Sequence, residues 1–179
     1  MVSLRCKMIV KDELKKAGIK FSITPHDAVE FHQELSEKQL DDIDNKLKRS
    51  GLELLNKENS ALIERIINTI HELIHNSDKL PDLSFEEVIT GDMVSGDNDK
   101  ILQIFSDVKG VSIIQYIITQ KIERIKELIL YKDKSLPEIA DILRYKNEDY
   151  MIAQFKKHTG LSPLFFKKLK EKRNQNLPQ

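Results

Sequence analysis

The sequence predicts an α+β chain, with a small mixed N-terminal domain followed by an all-helical C-terminal region. Three observations predict it. Short apolar stretches alternate with turn residues before residue 56, a long stretch of helical apolar spacing covers 58–77, and a repeat with a 50-residue offset follows residue 80. The 179 residues suffice for one compact domain or two small ones.

The first 55 residues are predicted to fold in the order βαββαβ, which is the ferredoxin-like split arrangement. Gly18 and Gly51 supply helix C-terminal stops, and Ser36 with Gln39 forms a capping box. So small a sheet is expected to bury one face against another part of the chain. Strands are predicted at 2–8, 20–24, 28–33 and 52–55, and helices at 10–17 and 36–51.

Residues 58–77 form the longest clean helical pattern in the chain, and its apolar surface is wider than one stripe. Two interpretations stay open. The helix is either buried on two sides between domains, or it forms the seam of a homodimer. The apolar residues are Leu62, Ile63, Ile66, Ile67, Ile70, Leu73 and Ile74.

An internal repeat organises the chain after residue 80. Phe105 and Gly110 recur 50 residues later as Phe155 and Gly160. Two capping boxes recur with nearly the same offset, beginning at Ser84 and Ser135. Residues 113–131 lie between the copies and carry isoleucine and leucine at three-to-four spacing, as in an amphipathic connecting helix. Two copies of one helical unit are therefore predicted.

Opposite charges are segregated along the chain although the net charge is zero. Residues 1–57 carry a net charge of +1, residues 58–111 of −7 and residues 112–179 of +6. Residues 155–173 alone carry +6, with Glu171 as the single acid. Cations on a rigid support are what phosphate binding requires, so the C-terminal third is the candidate nucleic-acid surface.

The second copy has the spacing of a helix-turn-helix unit. Leu136, Ile139 and Leu143 share one face of a short helix, 144–147 form a turn, and 148–158 form a second helix that Gly160 ends. Ser162 and Pro163 then begin a further helix. The outer face of the second helix is predicted to carry Lys146, Glu148, Asp149, Ile152 and Lys156.

Residues 121–129, 135–140 and 154–163, the last containing FKKHTGLSP, resemble the AraC/XylS family of bacterial transcription regulators. The resemblance covers about 80–173. It implies two helix-turn-helix units joined by a long helix, each placing one helix in adjacent major-groove segments on one face of double-stranded DNA. The DNA-binding candidates in the second unit are Lys146, Asn147, Glu148, Asp149, Ile152, Lys156, Lys157, Lys167, Lys168 and Lys170. Those in the first unit are Asn98, Lys100 and Gln103.

Several residues depart from the family pattern. Arg144 and Tyr145 stand where Gly-Phe is common, and Ala153 stands where Arg is frequent. The presumed recognition helix of the first helix-turn-helix unit, at about 97–108, begins with Asp97 and Asp99, which repel phosphates. The first unit is therefore interpreted either as a base reader or as a structural or partner-binding element.

The predicted organisation has four parts: 1–56 as a sensor or dimerisation domain, 57–79 as a bridging helix, 80–173 as the AraC-type DNA-binding domain and 174–179 as a disordered tail. The predicted partners are double-stranded DNA, a second copy of the chain through helix 58–77 or the N-terminal sheet, and an unidentified small-molecule effector. No membrane partner and no cofactor are predicted. A cytoplasmic location is expected, because there is one cysteine, no apolar stretch near 18 residues and no signal-peptide core.

Alternative functions remain. The chain could be a protein-binding or ligand-binding module with degenerate helix-turn-helix units, or a metal-responsive sensor. Weak metal candidates are Cys6, Met8, His26 and His32, and His71 with His75 forms an i, i+4 pair. An enzyme is not predicted, because the sequence has neither a glycine-rich phosphate loop nor a recognisable catalytic constellation.

Overall fold

The computed structural model describes residues 3–24, 28–81 and 98–175, without the side chains of residues 98, 170, 171 and 173–175. The helix Lys57–His71 ends in a wider π-helical turn, Glu72–Asn76. In chain order the elements are α1 (Leu4–Lys16), β1 (Phe21–Ile23), β2 (Val29–Phe31), α2 (Glu37–Lys48), α3 (Lys57–His71), α4 (Asn98–Lys109), α5 (Ile113–Tyr131), α6 (Leu136–Ile142), α7 (Glu148–Thr159) and α8 (Pro163–Gln175).

The chain divides into two compact units. The first comprises Met1–Ile67 and Asp99–Ser112, and the second comprises Asn68–Asn98 and Ile113–Gln179. The domain limits at 56 and 79 stay predictions. The tail predicted at 174–179 begins inside α8, which continues to Gln175, and residues 176–179 lie outside the described residues.

The first unit has a core formed by helices α1 and α2. Val10 and Leu14 from α1 pack with Ile43 and Leu47 from α2 and with Ile19. The antiparallel hairpin of β1 and β2 pairs Phe21 with Phe31 and Ile23 with Val29. The hairpin adds partly buried apolar side chains to this core, so burial against both helices stabilises a two-stranded sheet that would be marginal alone. These side chains are Phe21, Val29 and Phe31.

The strand predicted at 2–8 is wrong, because residues 4–8 form the first turns of α1. Ser3 is the N-cap, and its hydroxyl accepts a hydrogen bond from the backbone N–H of Cys6. The buried positions Val10 and Leu14 are four residues apart, so one helix from residue 4 buries the same stripe that the predicted helix at 10–17 would bury.

The strand predicted at 52–55 is also wrong, although its apolar side chains do face the core. After α2, Gly51 takes φ +72°, and the N–H of Leu52 donates to the carbonyl oxygen of Leu47. The N–H of Leu54 donates to the Asp44 carboxylate at 2.8 Å, so its backbone is satisfied without a partner strand. Within the described residues the order before α3 is αββα, and the ferredoxin-like βαββαβ prediction fails.

The second unit is built around α5, whose bounds agree with the prediction. This helix contacts α7, α8 and the Glu72–Asn76 turn. The Phe155 ring of α7 is fully buried and meets the Phe166 ring of α8 edge-on, with centroids 6.0 Å apart. The buried side chains of α5 are Ile113, Ile117, Ile122, Ile125, Leu128 and Ile129.

Among the described residues, no single helix is long and apolar enough to cross a membrane. Only α4 and α5 taken together as a bent pair meet that test of length and composition. Six of the apolar residues of α5 are buried in the structure, whereas Ile114 and Tyr131 are exposed.

Candidate nucleic-acid interface

Helix α6 is the first helix of the predicted second helix-turn-helix unit. Its start is a capping box, in which the Ser135 hydroxyl accepts from the N–H of Glu138 and the Glu138 carboxylate accepts from the N–H of Ser135. Hydrogen bonds from the backbone and hydroxyl of Ser135, and from Lys134, lower the pKa of Glu138 to about 2. The predicted capping box is therefore confirmed and fixes where α6 begins. The corresponding box at Ser84 lies outside the described residues.

The turn between α6 and α7 is tied to the segment that follows α3. Arg144 adopts φ +50°, a left-handed conformation that favours glycine, and its Nε donates to the carbonyl oxygen of Leu80 at 3.1 Å. The N–H of Leu80 donates to the carbonyl oxygen of Ile142, and the Lys79 ammonium pairs with Asp141 at 2.6 Å. Backbone and side-chain contacts therefore both fix the end of α6 to residues 79 and 80.

Helix α7 has a sharply defined start and end. The Asn147 side chain accepts from the N–H of Tyr150 at 2.8 Å, so Asn147 is the N-cap. Gly160 ends the helix at φ +74°, and its N–H donates to the carbonyl oxygen of Lys156. The side chains of Met151 and Phe155 are fully buried, which fixes the face that α7 turns inward.

The exposed face of α7 is centred on Ala153, about one residue away from the face predicted from sequence. Of the predicted residues, Lys146, Asp149 and Lys156 are exposed, whereas Glu148 and Ile152 are half-buried beside the core. Asn147 is exposed but its side-chain oxygen is occupied by the cap. Tyr150 and Ala153, which are not among the predicted DNA-binding residues, are also exposed. The exposed residues of α7 are Asp149, Tyr150, Ala153, Lys156, Lys157 and His158.

Lysines continue the exposed surface from α7 into α8. Lys156 and Lys157 are exposed in the last turn of α7, where cations also interact favourably with the helix dipole. In α8 Lys168 is exposed and Lys167 half-buried, while the Lys170 side chain lies outside the described part. Exposed lysines are the side-chain type that binds a phosphate backbone.

Helix α4, the predicted reading helix of the first unit, presents a less basic surface. Lys100 and Gln103 are exposed, but the Gln103 amide donates to the carboxylate of Asp107 at 2.8 Å. The Asn98 side chain lies outside the described residues. Phe105 is fully buried and Gly110 takes φ +70°, matching Phe155 and Gly160 in the second copy. The local structure of the two copies therefore agrees with the repeat.

The weak metal candidates are not brought together in the described part of the chain. Cys6 and Met8 are two residues apart on α1, so they lie on different faces of the helix. His32 is exposed after β2, and His26 lies outside the described residues. Among the described residues, no group of three or more His, Cys, Asp or Glu side chains could hold a metal ion.

His71 and His75 stack with ring centroids 4.6 Å apart. The stretch 71–75 reads HELIH, which matches the metal-binding pattern H-E-x-x-H, a signal that the sequence analysis missed. In the structure His75 Nδ1 lies 3.0 Å from a Glu127 carboxylate oxygen that Arg124 also contacts. Burial raises the pKa of Glu127, but the hydrogen bonds and charges of His75 and Arg124 together lower it by more, so its pKa lies below the usual value. This pairing ties the turn after α3 to α5.

Comparison with protein families identifies residues 97–168 as a helix-turn-helix domain. Two curated relatives match part of the chain. The bifunctional transcriptional activator/DNA repair enzyme AdaA of Bacillus subtilis is 28% identical over 49% of this chain and 44% of its own length. The melibiose operon regulatory protein of Escherichia coli is 31% identical over 42% of this chain and 25% of its own length. The matched stretch thus spans less than half of either relative.

Two solved structures share the fold of the helical region. The DNA-binding domain of AdpA, solved in complex with a target DNA, aligns with a TM-score of 0.54 at 17% identity, covering 64% of this chain and 97% of that one. The C-terminal domain of AraT, a response regulator from Geobacillus stearothermophilus, aligns with a TM-score of 0.52 at 22% identity, covering 60% of this chain and 84% of that one.

Proposed function

We propose that this chain is a sequence-specific, DNA-binding transcription regulator of the AraC/XylS type, because residues 97–168 match a helix-turn-helix domain. The observation that carries the proposal is the geometry of α7. Two fully buried side chains, Met151 and Phe155, anchor one face, and the opposite face is exposed and ends in two lysines. A rigid helix with a free face and flanking cations suits insertion into a major groove.

The exposed residues of α7 divide by chemistry into two roles. Asp149 can accept a hydrogen bond from the amino group of cytosine, while Tyr150 and Ala153 offer apolar surface to a thymine methyl group. Lys156 and Lys157 are suited to phosphates, as are the lysines of α8. Lys146 precedes the helix, where it can reach either a phosphate or a base edge. The half-buried Glu148 and Ile152 are proposed to have smaller roles than the sequence analysis gave them.

The first helix-turn-helix unit is proposed to contribute fewer DNA contacts than the second helix-turn-helix unit. In α4 Lys100 remains a phosphate contact, whereas Gln103 must release Asp107 before it can bind a base. The acidic charge of residues 58–111 opposes close approach of this unit to DNA. This role is compatible with binding an asymmetric DNA site in which one recognition helix makes most of the base contacts.

The remaining parts of the proposal concern regulation. The predicted N-terminal domain, residues 1–56, with its core of α1 and α2, is proposed to sense an effector or to support a homodimer, and α3 is the alternative dimer surface. A regulatory role, and not a catalytic one, is proposed for the whole chain. DNA as the partner places its action in the bacterial cytoplasm.

The test is the salt dependence of binding to a mixed-sequence duplex of about 30 base pairs. Each phosphate neutralised contributes about 0.9 to the slope of log K against log salt. The double variant Lys156→Gln/Lys157→Gln should therefore lower that slope by about 1.8. The matched control Lys11→Gln/Lys15→Gln removes two exposed cations from α1 and should leave it unchanged. Equal losses in both double variants would contradict the assignment of α7.

A further inference from the structure

A polar cluster lies behind the reading face, between α5 and α7. Lys121 of α5 donates to the carbonyl oxygen of Leu143 at 2.9 Å, and its ammonium lies 5.0 Å from the centroid of the Tyr145 ring. The Tyr145 hydroxyl donates to the side-chain oxygen of Gln154 at 2.6 Å. The cluster therefore connects the connecting helix, the turn and α7 through a continuous set of contacts.

These polar contacts are partly shielded from water. Lys121, Tyr145 and Gln154 are all partly buried. Burial raises the pKa of the Tyr145 phenol, so it stays protonated and available as a donor at neutral pH. A hydrogen bond that is largely removed from water is stronger electrostatically than an exposed one, and it is costly to leave its partners unpaired.

Gln154 is placed where such a bond can control the rotation of α7. Its neighbour Ala153 is at the centre of the exposed face, so a small rotation of the helix moves the reading residues relative to the groove. Met151 and Phe155 anchor α7 by apolar contacts, which are not directional. The hydrogen bond from Tyr145 adds an orientation-dependent contact on one side. The Tyr145 ring also lies 6.3 Å from the exposed Tyr150 ring on the reading face.

We propose that Tyr145 is a positioning residue for base recognition, which refines the rotation of α7, already limited by the burial of Met151 and Phe155, through its hydroxyl bond to Gln154. This inference rests on the proposed function. Tyr145 does not touch DNA in this account, so its effect falls on sequence discrimination, which depends on atomic alignment, and leaves phosphate binding intact.

The experiment compares affinity for a sequence selected by the wild-type chain from a random library with affinity for mixed-sequence DNA. Tyr145→Phe removes the donor and keeps the ring, and Gln154→Met removes the acceptor at similar volume. Each should lower the ratio of the two affinities by up to about fivefold, because a bond of ordinary strength no longer holds α7 in its recognition orientation before binding, while the mixed-sequence affinity and salt slope stay unchanged. The control Tyr131→Phe, at an exposed tyrosine, should leave the ratio unchanged.

The double variant separates a shared bond from two independent effects. If Tyr145 and Gln154 act through one bond, the double variant loses no more discrimination than either single variant. Additive losses, equal losses on both DNAs, or an unchanged ratio would overturn the positioning role. A wild-type chain that prefers no sequence would overturn the proposed function and this inference together, whereas a wild-type preference retained in Tyr145→Phe would overturn the inference alone.

Discussion

Replacing Lys121 with Met should change how the stability of the chain depends on pH. Burial lowers the pKa of Lys121 from 10.5 to about 8 in the folded state. At a pH between about 8 and 10.5, Lys121 binds a proton in the unfolded chain but has released it in the folded chain. Folding is therefore favoured as pH rises through this range, and the charged ammonium costs stability below it.

The magnitude follows from the difference between the two pKa values. At 1.36 kcal/mol for each pKa unit, the full effect is about 3.4 kcal/mol, of which about 2 kcal/mol develops between pH 7 and pH 9.5. Lys121 is partly exposed, and screening by water reduces the expected change to about 1 kcal/mol. Methionine has no titrating group and fills a similar volume.

The assay is urea unfolding of both full chains followed by circular dichroism at several pH values from 7 to 9.5. The free energy of unfolding of the wild type minus that of Lys121→Met should rise by about 1 kcal/mol across this range, because other titrating groups cancel in the difference. The control Lys132→Met, at an exposed lysine, should show no such rise. A flat difference for Lys121→Met, or a fall, would refute the argument from burial.

Two further substitutions test the local structure of the second helix-turn-helix unit. Ser135→Ala removes the capping box of α6 and should lower the free energy of unfolding by about 1 kcal/mol, measured by urea unfolding; an unchanged midpoint would contradict the cap's role. Gly160→Ala adds a methyl group that meets nothing within 4 Å, so its cost of about 1–2 kcal/mol comes from the left-handed backbone alone. A thermal melting temperature equal to that of the wild type would show that the backbone relaxes there.

The helical region was predictable because its signals are local. Ser135 at a cap, Gly160 after a helix and the spacing of α5 each specify one boundary, and the structure confirms all three. In the N-terminal region the same rules gave a wrong order. Leu4, Cys6 and Met8 alternate as in a strand, yet Leu4 and Met8 are exposed, and the burial of Val10 and Leu14 requires a helix.

The site was predictable only in outline. Sequence spacing located α7 and its lysines, but the rotation of the helix depends on which side chains its neighbours bury. Ile152 is half-buried and Ala153 is exposed. The exposed face is therefore shifted by one residue from the predicted face, and helical periodicity does not resolve so small a shift. Contacts between residues distant in sequence could not be predicted for the same reason. The bond from Arg144 to Leu80 spans 64 residues and that from His75 to Glu127 spans 52.

The most direct test of sequence-specific DNA binding by α7 is selection of sheared genomic DNA on the purified full chain. The comparison is with Ala153→Glu, which places a negative charge at the centre of the exposed face, and with the control Ser50→Glu, at an exposed serine in the turn after α2. The wild type and the control should enrich one shared sequence, and Ala153→Glu should lose it. DNA retained without a shared sequence, or the same sequence enriched by Ala153→Glu, would contradict the account.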